Sequence, residues 1–418
     1  MGLNFPAAPL VGDVYPVPAL PGVPQWTWNG VSWKCGTIDT ANYIRKSGDT
    51  MTGPLVLAAD PVADMQAATR RYADAISTEN ALINGFMDVS QERAQGTGVA
   101  IGAGATYIVD QWWAQASVGS FSSAQQACGI GGIPNQISLT NNAGAVALGA
   151  NDVLAHGQYV EGSRWGKFGW GTVNALPISI GFWVYANVSG TAYVTVRNGD
   201  NSRTCAVAYT TVGSQWLYRT VTIPPCLDGS WNVNQNIGSQ VIWCWGSGRV
   251  APSAGVWHNA LYDCGPGQTN YFNASGMGCY ITGVTIVPGS VAVPQMLSLS
   301  KRRDYQTEFL LCARYLQFNK YAEAGHALGP GSFYIPHNPL VPYRVTPALS
   351  LTTTSFYAES SPWAAGINIT GATVNASHMN PYGGDYQIAG TCTPALPASA
   401  GTNAIGLYSQ PVKFSARF

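Results

Sequence analysis

Six carboxylates stand in the middle of the chain: Asp110, Asp152, Glu161, Asp200, Asp228 and Asp263. Cleaving a sugar bond takes two such groups, held on opposite sides of the scissile linkage. These six are scattered, and turns, caps and surface positions account for most acidic residues of this kind. No enzyme activity is expected. His156, His258, His326, His337 and His378 form no HExxH motif and no pair at i and i+4, and no GxSxG or GxxxxGK[ST] run occurs. Zinc hydrolysis, a serine nucleophile and a phosphate-binding loop therefore lack their usual signals. The run NGDNS at 198–202 is dense in oxygen ligands, but a β-turn explains it better than a cation. No metal or cofactor is expected.

Aromatic residues are the positive feature. Sugars offer C–H faces that stack on exposed Trp and Tyr, while Asn, Asp and Gln exchange hydrogen bonds with the hydroxyls. Most aromatics on strands are core, and Trp112, Trp183, Trp216, Trp243 and Trp257 lie in strand-like runs. Loop-like contexts supply the candidates instead: Tyr357 and Trp363 in SFYAESSPWAAG, and Tyr382 and Tyr386 in HMNPYGGDYQ. His378, Asn380 and Asp385 stand beside them as polar contacts. Those seven residues form the expected carbohydrate-binding set.

The elements that must position such a site are β. Only 10% of the 418 residues are charged, against roughly 25% in an average protein. With 48 Gly, 26 Pro, 14 Trp and 21 Tyr, the chain reads as many short strands separated by turns. A formal net charge of zero leaves no electrostatic footprint for nucleic acid, and Lys301-Arg302-Arg303 is read as a solvated turn. The nine cysteines include no CxxC pair. Six fall between Cys128 and Cys279, where disulfides and buried free thiols both remain open readings. No signal peptide and no membrane-spanning run is visible, so synthesis in a cytoplasm without membrane insertion is expected.

Residues 1–24 are apolar and Pro-rich, the composition of an extended arm that packs on something else. In WTWNGVSWKC, Asn29-Gly30 between Trp28 and Trp33 predicts a hairpin with a type I′ turn. That hairpin should pair with the arm or with a partner chain. From Asp60-Pro61 the period becomes helical. Val62, Thr69, Ile76 and Ile83 recur every seven residues, with Met65 and Tyr72 between them. The stripe is about three heptads long, and either packs on its own chain or bundles with copies of itself. Residues 86–299 read as a jelly-roll β-sandwich with no helical pattern. A short helix through Phe309, Leu310, Cys312, Ala313 and Leu316 then opens a smaller β domain, 300–418.

The run Ser47-Gly48-Asp49-Thr50-Met51-Thr52-Gly53-Pro54-Leu55, then Asp60-Pro61 and Gln66-Ala67-Ala68-Thr69-Arg70-Arg71-Tyr72-Ala73-Asp74, resembles a signature of tailed-bacteriophage tail fibres, GGTMTGPL…L…DP…AATKxYVD. Arg70, Arg71 and Ala73 depart slightly from it. GVPQWTWNGVSWK is similar to the Trp-rich N-terminal hairpin of such fibres, and INGFMDVSQERAQGT…YIVDQWWA to the opening of their β-sandwich module. QWLYRTVTIP, GQTNYFNASG…YITGVTIVPG, TEFLLCARYLQ and PLVPYRVTPALSL resemble later landmarks. Gln111 replaces the usual Arg of the opening, and Ala313-Arg314 the usual Gln-Arg pair of the helix. The resemblance runs from about residue 25 to 350.

It implies an elongated homotrimeric virion protein, assembled in the host cytoplasm. Residues 1–43 would be the attachment arm and hairpin, meeting tail, collar or baseplate proteins. Residues 44–85 would be a strand and a short trimerising helix, with Val62, Met65, Thr69, Tyr72, Ile76 and Ile83 on the three-fold axis. The sandwich, similar to carbohydrate-binding jelly rolls, and a distal tip at 300–418 would face a host surface glycan. A purely structural collar or baseplate appendage is the alternative, and a glycan depolymerase a third reading. If the stripe is the trimer seam, Ile76→Asp will lower the sedimentation mass of the purified protein while leaving its β circular dichroism intact. A trimer unchanged by Ile76→Asp refutes the seam.

Overall fold

Trp28 pairs with Trp33 and Trp26 with Cys35, so the predicted hairpin forms. Its loop is wider than Asn29-Gly30 suggested. That pairing leaves four residues, 29–32, in the turn, where a type I′ turn would leave two. The Asn29 side chain closes it, its Oδ1 accepting from the backbone N–H of Val31 (3.0 Å) and Ser32 (2.8 Å), with Gly30 at φ +95°. Of the two expected partners, the Pro-rich arm is the one present: Val14–Tyr15 adds a third strand beside Trp26–Trp28. Phe5 stacks on Trp33 at 5.1 Å between ring centroids and meets Trp26 edge-on at 5.5 Å.

This computed structural model describes residues 4–18, 24–36, 79–319, 323–329, 331–360, 367–393, 404–407 and 411–418. It divides into two units, Met1–Ala59 and Asp60–Phe418. Val62, Met65, Thr69, Tyr72 and Ile76 lie outside the described residues.

The second unit is built on two seven-stranded antiparallel sheets. The front sheet runs Trp257–His258, Thr204–Thr211, Gly190–Asn198, Ile237–Ser247, Val153–Glu161, Trp112–Ala116, Thr106–Val109. The back sheet runs Leu217–Ile223, Ile178–Ala186, Gly278–Pro288, Asn135–Asn141, Phe121–Ser123, Val99–Ile101, with Gln125–Ala127 also paired to Asn135–Asn141. Neighbours distant in sequence make this the expected sandwich rather than a meander. Successive side chains leave a strand on opposite faces. On Ile237–Ser247, Val241, Trp243 and Trp245 therefore enter the core between the sheets, while Gln240, Ile242 and Cys244 point the other way. Phe182 of the back sheet meets Trp243 at 5.4 Å and Tyr209 at 5.0 Å, both edge-on, and Trp112 lies 5.4 Å from Trp243. Burying such rings supplies most of the driving force for closing the sandwich. All nine cysteines are free thiols.

The helical stripe does not continue through Ile83. Residues 81–86 form bends and a turn, not helix. The backbone of Ile83 is instead fixed to the sandwich floor. Its N–H donates to Gln158 Oε1 (2.8 Å), and its carbonyl accepts from Gln158 Nε2 (2.7 Å) and Trp112 Nε1 (3.0 Å). The Ile83 side chain is buried against Val89, Cys312 and Tyr315, which removes it from any exposed seam.

The short helix is Tyr305–Ala313, capped by Asp304, whose Oδ1 accepts from the N–H of Thr307 at 2.9 Å. Cys312 and Ala313 are buried, Leu310 is exposed, and Leu316 has passed into the strand Leu316–Phe318. Just past the helix, Arg314 and Tyr315 both reach the buried Glu161, Arg314 through Nε (3.1 Å) and Nη2 (2.7 Å), Tyr315 through its hydroxyl (2.7 Å). Six further strands form a closed barrel, and Val412–Ser415 returns between Leu316–Phe318 and Ala348–Leu351. The chain end packs on the sandwich, where Arg417 pairs with Glu92 and the Arg344 guanidinium lies 3.9 Å above the Phe418 ring.

His156 is the one histidine inside the sandwich core, and its Nδ1 accepts from Trp245 Nε1 at 3.1 Å. Burial pushes it down to about 4, from an ordinary 6.5. Because the folded value is the lower one, the unfolded chain takes up a proton first as pH falls. This residue therefore costs nothing above pH 6.5. It erodes stability between 6.5 and 4, by on the order of 3 kcal/mol in total. Urea midpoints should fall across that window, and the fall should shrink in His156→Asn; an equal slope in both proteins contradicts the assignment.

Candidate functional site

The outward face of the front sheet carries a pocket of about 190 Å³, lined by aromatic, amide and charged side chains. It is built from the strand register upward. Trp112 and Trp113 are adjacent on one strand, so one enters the core and the other emerges on the outer face. Trp113 sits opposite Gly157 of Val153–Glu161. A Cβ there would come within 2.3 Å of the indole, so only glycine lets the ring lie across that strand. Tyr159 packs beside it at 5.4 Å and 34°, and Val153, Ala155 and Ile242 complete an apolar floor. The indole N–H of Trp113 is buried with no hydrogen-bond partner among the described residues.

The polar wall comes from the next strand over. Tyr193, Thr195 and Arg197 alternate along Gly190–Asn198 and all point outward. Each donates to a carbonyl of the segment 262–268, which therefore crosses the sheet as a strap: Tyr193 Oη to Pro266 (2.6 Å), Thr195 Oγ1 to Asp263 (2.5 Å), Arg197 Nε to Tyr262 (3.0 Å). Gly265 is needed beneath it, since a Cβ would stand 2.8 Å from the Tyr193 ring. The strap delivers Asp263, only 1% exposed, into the pocket wall. Its carboxylate pairs with Arg197, and its Oδ2 accepts from Arg249 Nε (2.6 Å) and Ser247 Oγ (2.8 Å). Burial, and then the second guanidinium of Arg249, push Arg197 down to about 10, which still leaves it charged at neutral pH. Gln240 Nε2 donates to Asn201 Oδ1 (2.9 Å), and Gln115 stands on the far rim.

At about 190 Å³ the pocket is smaller than the roughly 300–1,000 Å³ that encloses a whole drug-sized ligand. It suits one ring of a longer molecule held from one side. Of the six carboxylates, only Asp263 lines it. Glu161 is held by Arg314 and Tyr315, Asp110 by Gln91, Asp152 by Ser117, and Asp228 by Arg203. Asp200 accepts from the N–H and hydroxyl of Ser202, which makes NGDNS a turn.

The residues expected from sequence lie elsewhere, on the barrel. His378 and Asp385 face each other across a hairpin, and Asn380 Oδ1 accepts from the Tyr382 N–H (2.8 Å) at its tip. Tyr382 there is 78% exposed. Tyr357 lies on a third strand, Phe356–Ser360, opposite Asn368 at the far end of that hairpin, and Trp363 lies outside the described residues. Tyr386 is not available to a ligand. It is fully buried and meets Phe414 edge-on at 5.3 Å, because Asp385 and Tyr386 alternate faces and the inward one closes the core. Sequence reasoning missed Trp113, Tyr159, Arg197, Gln240, Arg249 and the role of Asp263. The doublet Trp112-Trp113 is the available signal, because two adjacent rings on a strand leave it on opposite faces and so mark an apolar cluster on each.

No family model and no curated protein matches the chain. Among solved structures it is similar to the enzymatically active domain of tailspike protein 4 of bacteriophage CBA120, with 9% identity, 50% of this chain and 21% of that one, TM-score 0.25. It is also similar to a CBM4 structure, with 13% identity, 49% and 97% coverage, TM-score 0.24. A third is TmCBM61 in complex with β-1,4-galactotriose, with 11% identity, 50% and 99% coverage, TM-score 0.25. The chain spans 26% of an arabinose-bound GH51 α-L-arabinofuranosidase that it also matches. Scores this low do not bear on the site.

Gly157→Ala tests the pocket floor. The added methyl must displace the Trp113 indole, at a cost of about 1–3 kcal/mol for overpacking. The expected result is a lower melting temperature with a changed tryptophan emission spectrum; a variant identical to the parent in both shows that the ring is not seated as described.

Proposed function

We propose that this chain is an attachment protein of the tail-fibre kind, carried on a virion, whose sandwich binds a host surface glycan. The observation that supports it is the outer-face pocket. A sugar ring needs a flat apolar surface for its C–H face and fixed polar groups for its hydroxyls. Tyr159, half-buried at the pocket, offers the first, and Gln115, Asn201, Gln240 and Arg249 the second.

The sequence signature at Gly48–Asp74 supports the virion part of the reading, with attachment through the N-terminal arm and a homotrimer. One shallow pocket binds weakly. Three on one assembly raise effective affinity through multivalency, by a factor on the order of 10²–10⁴ where geometry allows simultaneous engagement. With one carboxylate in the pocket, already neutralised by arginine, the chemistry offered is recognition and not cleavage.

Purified protein incubated with host cells and their surface polysaccharide separates the three readings. Saturable binding without shortening of the polysaccharide is expected. Tyr159→Ala together with Gln240→Ala should weaken it about tenfold or more, from the loss of one ring contact and one hydrogen-bonding group. Chain shortening would establish a depolymerase, and absence of binding to both cells and glycan would leave a structural appendage.

A further inference from the structure

On a chain whose formal charges cancel, the pocket is electrostatically lopsided. Its charged lining residues are Arg197, Arg249 and Asp263. Two guanidiniums share one carboxylate, which leaves one positive charge uncompensated by the lining. The surplus sits on Arg249. Arg197 is inward, its side chain 7% exposed, and is consumed by Asp263 and the Tyr262 carbonyl. Arg249 is 24% exposed and commits only its Nε to Asp263. Among the described residues, its two terminal nitrogens have no hydrogen-bond partner, and they form the other edge of a planar fork that matches an anionic oxygen pair.

Resting on the glycan reading above, we propose that the pocket selects an acidic sugar, one whose ring lies beside Tyr159 and whose carboxylate is taken by the free edge of Arg249. The alignment of roles is physical. Asp263 holds the Nε edge and so fixes the direction of the fork. Arg197 is the counter-charge that permits Asp263 to be ionised while buried. Gln240 and Asn201, already bonded to each other, keep spare acceptor and donor atoms for ring hydroxyls. A neutral sugar would use the same tyrosine and amides and leave the fork to water.

The test is a titration of the full chain with paired polysaccharides, each uronate-bearing glycan beside its carboxyl-reduced neutral form. A sialylated and a phosphate-bearing glycan serve as further arms. The acidic member of each pair should bind about tenfold or more tighter, the worth of one charge-assisted pair. The preference should shrink as salt is raised from low to physiological strength and beyond. Arg249→Gln should bring the acidic-to-neutral ratio to about one, and Arg249→Lys, which keeps the charge and loses the fork, should give an intermediate ratio. Melting curves of both variants establish that they fold; if the glutamine variant does not, the lysine variant carries the test. Equal binding within each pair, or a ratio untouched by both Arg249 variants, overturns the acidic assignment and leaves glycan binding standing. Tighter binding of the phosphate-bearing arm than of any carboxylate overturns the carboxylate. No binding to either member of any pair overturns the glycan reading itself.

Discussion

The sandwich and its pocket both depend on the period-two geometry of a strand, which forces neighbouring side chains to opposite faces. Trp112 fills the core and meets Trp243, so Trp113 is sent to the other face of the sheet, where it is itself buried. Tyr107 and Tyr159 cover it there, together with apolar residues that alternate outward on two adjacent strands. The register places Gly157 under the ring, the one residue that leaves room for it. The same alternation sends Tyr193, Thr195 and Arg197 outward in file, each able to hold a carbonyl of the strap.

The strap changes the electrostatics of this face. Asp263 is nearly inaccessible to water, and an isolated carboxylate there would be strongly destabilising. Two arginines and a serine hydroxyl compensate it. Such a buried cluster need not add much net stability, since desolvation offsets most of the attraction. Its effect is directional. It fixes where two long, flexible cationic side chains point, and a fixed donor array binds a polar partner with less entropic loss than a mobile one.

Much of the architecture could be read from composition and alternation. Low charge and short aromatic strands located the sandwich, and the WNG run located the hairpin, though pairing Trp28 with Trp33 widened its turn to four residues. The stripe that was extended to Ile83 failed at its last position. A seven-residue recurrence of apolar groups does not distinguish a helix from a turn whose one apolar side chain happens to close a core. Gln158 and Trp112, far away in sequence, decide the conformation of Ile83, and no local pattern contains them. The pocket is hidden in the sequence for a related reason. Aromatics in loop-like text read as exposed, and aromatics in strand-like text as core. Trp112 and Trp243 obey that rule, whereas Tyr386 shows its failure in the other direction, sitting in text that looked like a loop and lying fully buried.

Between the hairpin tip at Tyr382 and the sandwich pocket, rigidity favours the pocket. The tip groups His378, Asn380 and Asp385 around one exposed ring on a two-stranded turn. His378 packs 5.6 Å from the Tyr334 ring and the Pro381 carbonyl accepts from the Tyr343 N–H, but the Tyr382 ring itself is exposed, so a ligand would have to order it on arrival. In the pocket, Trp113 is seated against glycine, Arg197 is clamped by a carbonyl and a carboxylate, and Gln240 is held by Asn201 before any ligand arrives. On the proposed reading, a saccharide bound there would lose little to ordering, which matters because its individual contacts are weak. The pocket lining is drawn entirely from the sandwich and its strap, so the barrel can vary without disturbing it.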